Sequence, residues 1–179
     1  SSRAYVDHYL LQGNIAYQGG TFLVGGGRPS RGIRVLDNLL YNVSMQIGYN
    51  APTNEDCEVR GNLIVDGGLS INKFQKVVQE DNLVLGRGAP RPQGVRVVLR
   101  PNRYDPDRAN VAVFNWAREP AVEIPARDFL KPRDTYRLMD PRDLYGKPIL
   151  AGTFDGRPIH LHVPGEFAAG VMLKESARP

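Results

Sequence analysis

Between Tyr9 and Leu85 the apolar positions fall in short alternating runs, and the runs recur. Their anchor is a phrase in which Gly or Asp precedes Asn and three apolar residues follow. It occurs as Gly13-Asn14-Ile15-Ala16-Tyr17, Asp37-Asn38-Leu39-Leu40-Tyr41, Gly61-Asn62-Leu63-Ile64-Val65 and Asp81-Asn82-Leu83-Val84-Leu85. Successive Asn residues stand 24, 24 and 20 positions apart. Ahead of each Asn, Tyr9, Ile33, Cys57 and Val77 occupy one common position, and Leu11, Val35, Val59 and Gln79 the next but one. That is the period of a strand with one buried face. Beyond each Asn, Thr21, Met45 and Leu69, then Leu23, Ile47 and Ile71, mark a further alternating run.

Three strands per turn of this length predict an all-β fold: a short right-handed parallel β-helix of about four coils over residues 1–86. Equivalent residues of successive coils then stack about 4.8 Å apart. Asn14, Asn38, Asn62 and Asn82 form a structural ladder, each amide pairing with the coils above and below, and Asn is expected to take the left-handed bend between strands. A leucine-rich repeat is the rival, since Ile33, Val35, Asn38 and Leu40 fit its spacing. Its return segment is usually helical or 3₁₀, whereas residues 20–25 and 43–48 read as strands bounded by Gly and Asn. Cys57 shares a position with Ile33 and Val77 and reads as a small core residue.

The coils differ in one connection. Ten residues separate Leu23 from Ile33 and Ile47 from Cys57, but six separate Ile71 from Val77. Loops 25–32 and 50–56 should therefore lie side by side. They carry Arg28 and Arg31 on one coil and Asn54, Glu55 and Asp56 on the next, with Tyr49 at their margin. Two readings of this cluster stand together: an inter-coil salt bridge that fixes the loops, or a ridge that binds a polysaccharide, with Tyr49 as a stacking platform.

The repeat ends at Asn82. Residues 87–94 (RGAPRPQG) read as a linker, and seven β-like runs over residues 95–179, separated by turns, predict a small antiparallel sheet or sandwich. Composition changes this picture little. The net charge of +4 comes from Arg and Lys interleaved with acids, so no basic tract marks a nucleic-acid face, and no apolar run is long enough for a membrane span. Residues 1–5 lack a signal-peptide pattern. A single Cys excludes an internal disulfide.

The phrases at residues 23–29 (LVGGGRP) and 54–62 (NEDCEVRGN) resemble the C-terminal part of bacterial right-handed parallel β-helix repeat proteins. Residues 109–116 (ANVAVFNW), Tyr136-Arg137-Leu138-Met139-Asp140 and residues 163–173 are similar to the accessory β-sandwich at the C-terminus of many glycoside hydrolases. The first resemblance implies secreted or periplasmic proteins, many acting on polysaccharides, and the second a non-catalytic domain. Relatives of this kind usually have more coils and a cap. This chain starts inside a coil, so an open apolar end near Tyr5, Tyr9, Leu11 and Ile15 is expected, covered by a second copy in a symmetric homodimer.

Catalytic chemistry is harder to find. A lyase on such a fold needs clustered carboxylates for Ca²⁺ and a Lys or Arg base, and a glycosidase needs two facing carboxylates. Asp66 and Asp81 sit at turns, and alternation points Glu58 outwards. His160 and His162 share one strand face without a third ligand, Asp105 and Asp107 suit a hairpin turn better than a Ca²⁺, and Gly25-Gly26-Gly27 lacks the Lys of a phosphate loop. No metal or cofactor is expected, Ca²⁺ being the nearest alternative. The expectation is a non-catalytic module that binds glycans or assembles with itself. The alternative is a polysaccharide lyase or glycoside hydrolase with its site on loops 25–32 and 50–56.

Overall fold

The computed structural model describes residues 6–175, which form strands and no helix. No described segment is a helix long and apolar enough to cross a membrane. The chain divides into two compact units, residues 1–91 and 92–179.

The first unit contains β1 (Val6–Asp7), β2 (Leu10–Gln12), β3 (Ile15–Tyr17), β4 (Thr21–Val24), β5 (Ser30–Arg31), β6 (Ile33–Leu36), β7 (Leu39–Tyr41), β8 (Ser44–Ile47), β9 (Asn54–Arg60), β10 (Leu63–Val65), β11 (Leu69–Ile71), β12 (Phe74–Glu80) and β13 (Leu83–Leu85). These stack in parallel into three walls: β2-β6-β9-β12, β3-β7-β10-β13 and β4-β8-β11, with β1-β5 as a short fourth ladder. The result is a parallel β-solenoid of three turns. The expected four coils are thus three complete ones and a fourth that supplies β12 and β13 alone. The chain leaves after Leu85 through a turn in which the Ala89 N–H donates to the Gly86 carbonyl at 3.0 Å. Arg91 then fastens to Asp66 at 2.6 Å and holds the departing segment against the solenoid.

Each strand of the second wall is three residues long, and in the first three coils a left-handed residue bounds it on both sides. Asp37 (φ 55°), Gly61 (φ 64°) and Asp81 (φ 54°) stand just before their Asn, and Gln18, Asn42 and Asp66 (φ 78°, 55° and 56°) four places after it. This corrects the expectation that the ladder Asn takes the bend. The preceding Gly or Asp takes it, because Gly has no Cβ and Asp tolerates φ > 0. None of the four ladder Asn has a positive φ, and each turns its amide to its neighbours.

The register of the third wall also differs from the expected one. Phe22 pairs with Met45 and Val24 with Ile47, so Leu23 lies opposite Gln46 and is 45% exposed. The first coil has one extra residue in its Gly19-Gly20 turn, and an extra residue reverses the faces of the strand that follows. From the second coil to the third the spacing is regular, Met45 opposite Leu69 and Ile47 opposite Ile71. The interior is filled by columns of small and branched side chains, among them Ile33, Val35, Leu40, Met45, Ile47, Cys57, Val59 and Ile64. Full burial of each aliphatic side chain contributes about 1.5–3 kcal/mol.

The second unit contains β14 (Val95–Pro101), β15 (Arg108–Asn115), β16 (Ala121–Ile124), β17 (Thr135–Met139), β18 (Leu150–Thr153), β19 (Ile159–His162) and β20 (Phe167–Glu175). A five-stranded antiparallel sheet runs β14-β15-β20-β17-β18, and β16-β19 form a separate antiparallel pair. Val111 and Val113 of β15, Val122 and Ile124 of β16, Ile159 and Leu161 of β19 and Met172 of β20 belong to one core, so the pair packs on the larger sheet. Asn115 is wholly buried and closes the loop after β15: its amide donates to the Glu119 carbonyl at 2.8 Å and accepts the Glu119 N–H at 2.9 Å.

Candidate functional site

The four Asn residues are joined amide to amide, in one direction. Nδ2 of Asn14 donates to Oδ1 of Asn38 at 2.9 Å, Asn38 to Asn62 at 2.9 Å, and Asn62 to Asn82 at 2.8 Å. Each receiving Oδ1 also accepts the backbone N–H of the donor Asn at 3.0 Å. The second Nδ2 proton reaches back to a carbonyl of the preceding coil: Asn38 to Leu11, Asn62 to Val35 and Asn82 to Val59. Asn38 and Asn62 are fully buried, and this arrangement leaves none of their amide groups unpaired. The ladder holds the coils in register.

The ridge residues separate into structural and free groups. Asn54 is the first residue of β9, so the loop that was expected to run to residue 56 ends earlier. Its side chain is 1% exposed; Oδ1 accepts the Ser30 N–H at 2.9 Å and Nδ2 donates to the Asn72 carbonyl at 3.1 Å. Asn54 is therefore a second inter-coil amide and is removed from the binding residues. Its burial required the Ser30 N–H, 24 residues away, which a loop composition rich in Asn and Pro does not reveal. Asp56 is half-buried and its carboxylate accepts the Gly32 N–H at 2.9 Å. Arg31 pairs with Asp7 of the coil before it, at 2.8 and 2.9 Å, in place of the expected pairing toward Glu55 and Asp56. Glu55 is half-buried, and Arg28 and Tyr49 are exposed.

Tyr49 stands on well-anchored backbone. The N–H of Gly48 donates to the Val24 carbonyl at 2.8 Å, and the Gly48 carbonyl accepts Nδ2 of Asn72 at 3.2 Å. Gly48 is thereby tied to the coil on either side. Gly25 lies close enough that an added Cβ would sit 3.4 Å from the Gly48 Cα, which places the loop of Arg28 beside that of Tyr49.

An outward charge chain went unseen in the sequence. Arg34 meets Glu58 at 2.9 Å, Glu58 meets Arg60 at 2.9 Å, and Arg60 meets Glu80 at 3.1 Å. Cross-coil stacking explains it, Arg34 lying opposite Glu58 and Arg60 opposite Glu80. These exposed pairs are each worth about 0–1 kcal/mol and chiefly set register.

In the second unit, clefts of about 460 and 320 Å³ flank the segment from Phe154 to Arg157. Arg127 and Lys131 line the larger, Tyr136 and His160 the smaller, and Asp155 and Arg157 both. Burial raises the pKa of Tyr136, and the Asp155 charge adds to the shift. In the Tyr136–Asp140 phrase, Arg137 reaches Glu175 at 3.6 Å, and Arg142 grips Asp140. The Arg142 hydrogen bonds hold the Asp140 carboxyl down to about 2. His160 and His162 are exposed on one face of β19, with Glu123 opposite His160 and His162 Nδ1 2.7 Å from the Pro120 carbonyl oxygen. Asp105 accepts the Asp107 N–H at 3.1 Å, the geometry of an Asx turn. Among the described residues no group of three His, Cys, Asp or Glu side chains converges as a metal site. Cys57 is buried, and its thiol is pushed up to about 11 by desolvation and, to a lesser degree, by Asp56.

Comparison with family models, with curated proteins and with solved structures found no match for this chain.

Proposed function

We propose that the chain is a non-catalytic module of the right-handed parallel β-helix class that binds glycans on the ridge of Arg28 and Tyr49, with its antiparallel unit as an accessory sandwich. The observation that carries this reading is the anchored aromatic platform: Tyr49 is 46% exposed while the adjoining Gly48 is bonded to both neighbouring coils. A ring held on rigid backbone meets the apolar face of a sugar with little loss of conformational freedom. Arg28, exposed on the adjacent loop, suits a carboxylate of an acidic polysaccharide. Asn54, Asp56 and Arg31 are engaged in inter-coil bonds, which supports a binding surface over a site for acid–base chemistry.

Titration calorimetry of the whole chain against a polyuronate and a neutral glucan, with and without Ca²⁺, tests this. Tyr49→Ala should weaken both by about tenfold, which is about 1.4 kcal/mol, and Arg28→Ala should weaken the polyuronate alone. Binding that survives Tyr49→Ala unchanged, or release of oligosaccharides from either polymer, would overturn the reading.

A further inference from the structure

The Asn ladder has a direction, and its two ends are complementary. Every interior Oδ1 accepts two N–H groups from the Asn one coil earlier. At the first coil Asn14 is exposed, and no described residue donates to its Oδ1. At the fourth coil Asn82 uses one Nδ2 proton on the Val59 carbonyl, and no described Asn follows to take the others. One end of the ladder presents an acceptor and the other presents donors.

A second pattern points the same way. The residue before each Asn alternates Gly13, Asp37, Gly61, Asp81. Asp37 rests on Gly61 of the next coil so closely that a Cβ there would stand 2.5 Å from Asp37 Oδ1. Asp81 is exposed, and the residue its carboxylate would cover by this rule is a Gly one coil further on. Gly13 is such a residue. Apolar side chains are also open at both ends, with Tyr9 51% exposed on the first coil and Val77, Leu83 and Val84 43%, 40% and 39% on the fourth.

We infer that the fourth coil of one copy stacks on the first coil of a second copy, head to tail, as the next coil of a continuous solenoid. The repeat's own bonding rules specify the junction. The N–H and Nδ2 of Asn82 donate to Oδ1 of Asn14 in the second copy. Nδ2 of that Asn14 donates to the Gln79 carbonyl, as Asn38 does to Leu11. The Ile15 N–H of the second copy donates to the Asn82 carbonyl, as Leu83 does to Asn62, and the Asp81 N–H to its Gln12 carbonyl, as Asp37 does to Arg60. Asp81 lies over Gly13. The first and second walls join; the third wall has no strand in the fourth coil and adds nothing there. Unpaired strand edges are natural templates for such addition. A symmetric dimer of first coils, the arrangement expected from the sequence, would set acceptor against acceptor and Gly13 against Gly13. Head-to-tail stacking does not close on itself, so it yields chains of copies. This inference stands independently of the glycan reading.

Two exposed positions give the test: Tyr9→Lys blocks the first-coil end and Val84→Lys the fourth-coil end. Circular dichroism checks that both variants fold, and sedimentation velocity reads their mass. The unaltered chain should grow beyond a dimer as concentration rises. Each variant alone should remain a monomer, and an equimolar mixture should form one heterodimer through the two intact ends. A monomeric unaltered chain at every concentration would overturn the inference. So would dimerisation of Val84→Lys by itself, which is the signature of first-coil-to-first-coil pairing.

Discussion

Replacing Asn62 by Ala measures directly what the ladder contributes. Asn62 is 1% exposed. The substitution removes the Oδ1 that accepts the Asn38 N–H at 3.0 Å and the Asn38 amide at 2.9 Å, and the Nδ2 that serves Val35 and Asn82. Asn82 Oδ1 loses little, because the Asn62 backbone N–H still reaches it, while the Val35 carbonyl loses the Nδ2 donor. Two Asn38 donors lose their partner: the backbone N–H and one Nδ2 proton are left in a buried site, at about 1–3 kcal/mol each, while the other Nδ2 proton keeps the Leu11 carbonyl. The expected destabilisation is about 3–5 kcal/mol. Asn14→Ala is the control, since Asn14 is exposed and the Asn38 Oδ1 keeps the Asn14 backbone N–H. Its cost should stay below about 1 kcal/mol. Hydrogen exchange at the amides of Leu39–Tyr41 and Leu63–Val65 reports opening of the solenoid itself, whereas the single Trp, Trp116, reports the other unit. Equal losses of protection in the two variants, or a loss under about 1 kcal/mol for Asn62→Ala, would refute the account of the ladder.

Gly67→Ala would drive a methyl group into the Val43 backbone carbonyl, while the neighbouring Gly68→Ala meets nothing within 4 Å. The first should cost about 1–3 kcal/mol in a denaturant titration and the second should be close to neutral. For Asp140, an NMR titration should give a midpoint of about 2, and Arg142→Ala should return it toward the ordinary aspartate range. A carboxyl with a lowered folded-state pKa stabilises the fold above its unfolded value and loses that contribution as pH falls toward 2. Cys57 shifts the other way, from 9.0 to about 11, so its contribution is complete below pH 9 and is lost between pH 9 and 11. Alkylation of Cys57 at pH 8 should accordingly follow opening of the solenoid, and rapid labelling of the folded chain would contradict its buried placement.

The coil architecture is legible in the periodicity of the sequence. The G/D-N-apolar phrase marks the corner after the first wall, the 24-residue interval marks one turn, and the position of Cys57 among Ile33 and Val77 places it in the stack. The seven antiparallel strands were also readable, because turns punctuate them. Tertiary contacts decided the rest. An extra residue at Gly19-Gly20 turned Leu23 outward, a change invisible to a period-two pattern that carries no memory of the preceding turn. Asn54 and Asp56 look like solvated loop residues until the coil 24 places earlier offers them the N–H groups of Ser30 and Gly32. A buried polar atom takes its role from the partner that stacking delivers, and the order of residues along one coil does not specify that partner. The polarity of the ladder belongs to the same class: four Asn at regular intervals announce a column, but only the placed amides show which end gives protons and which receives them.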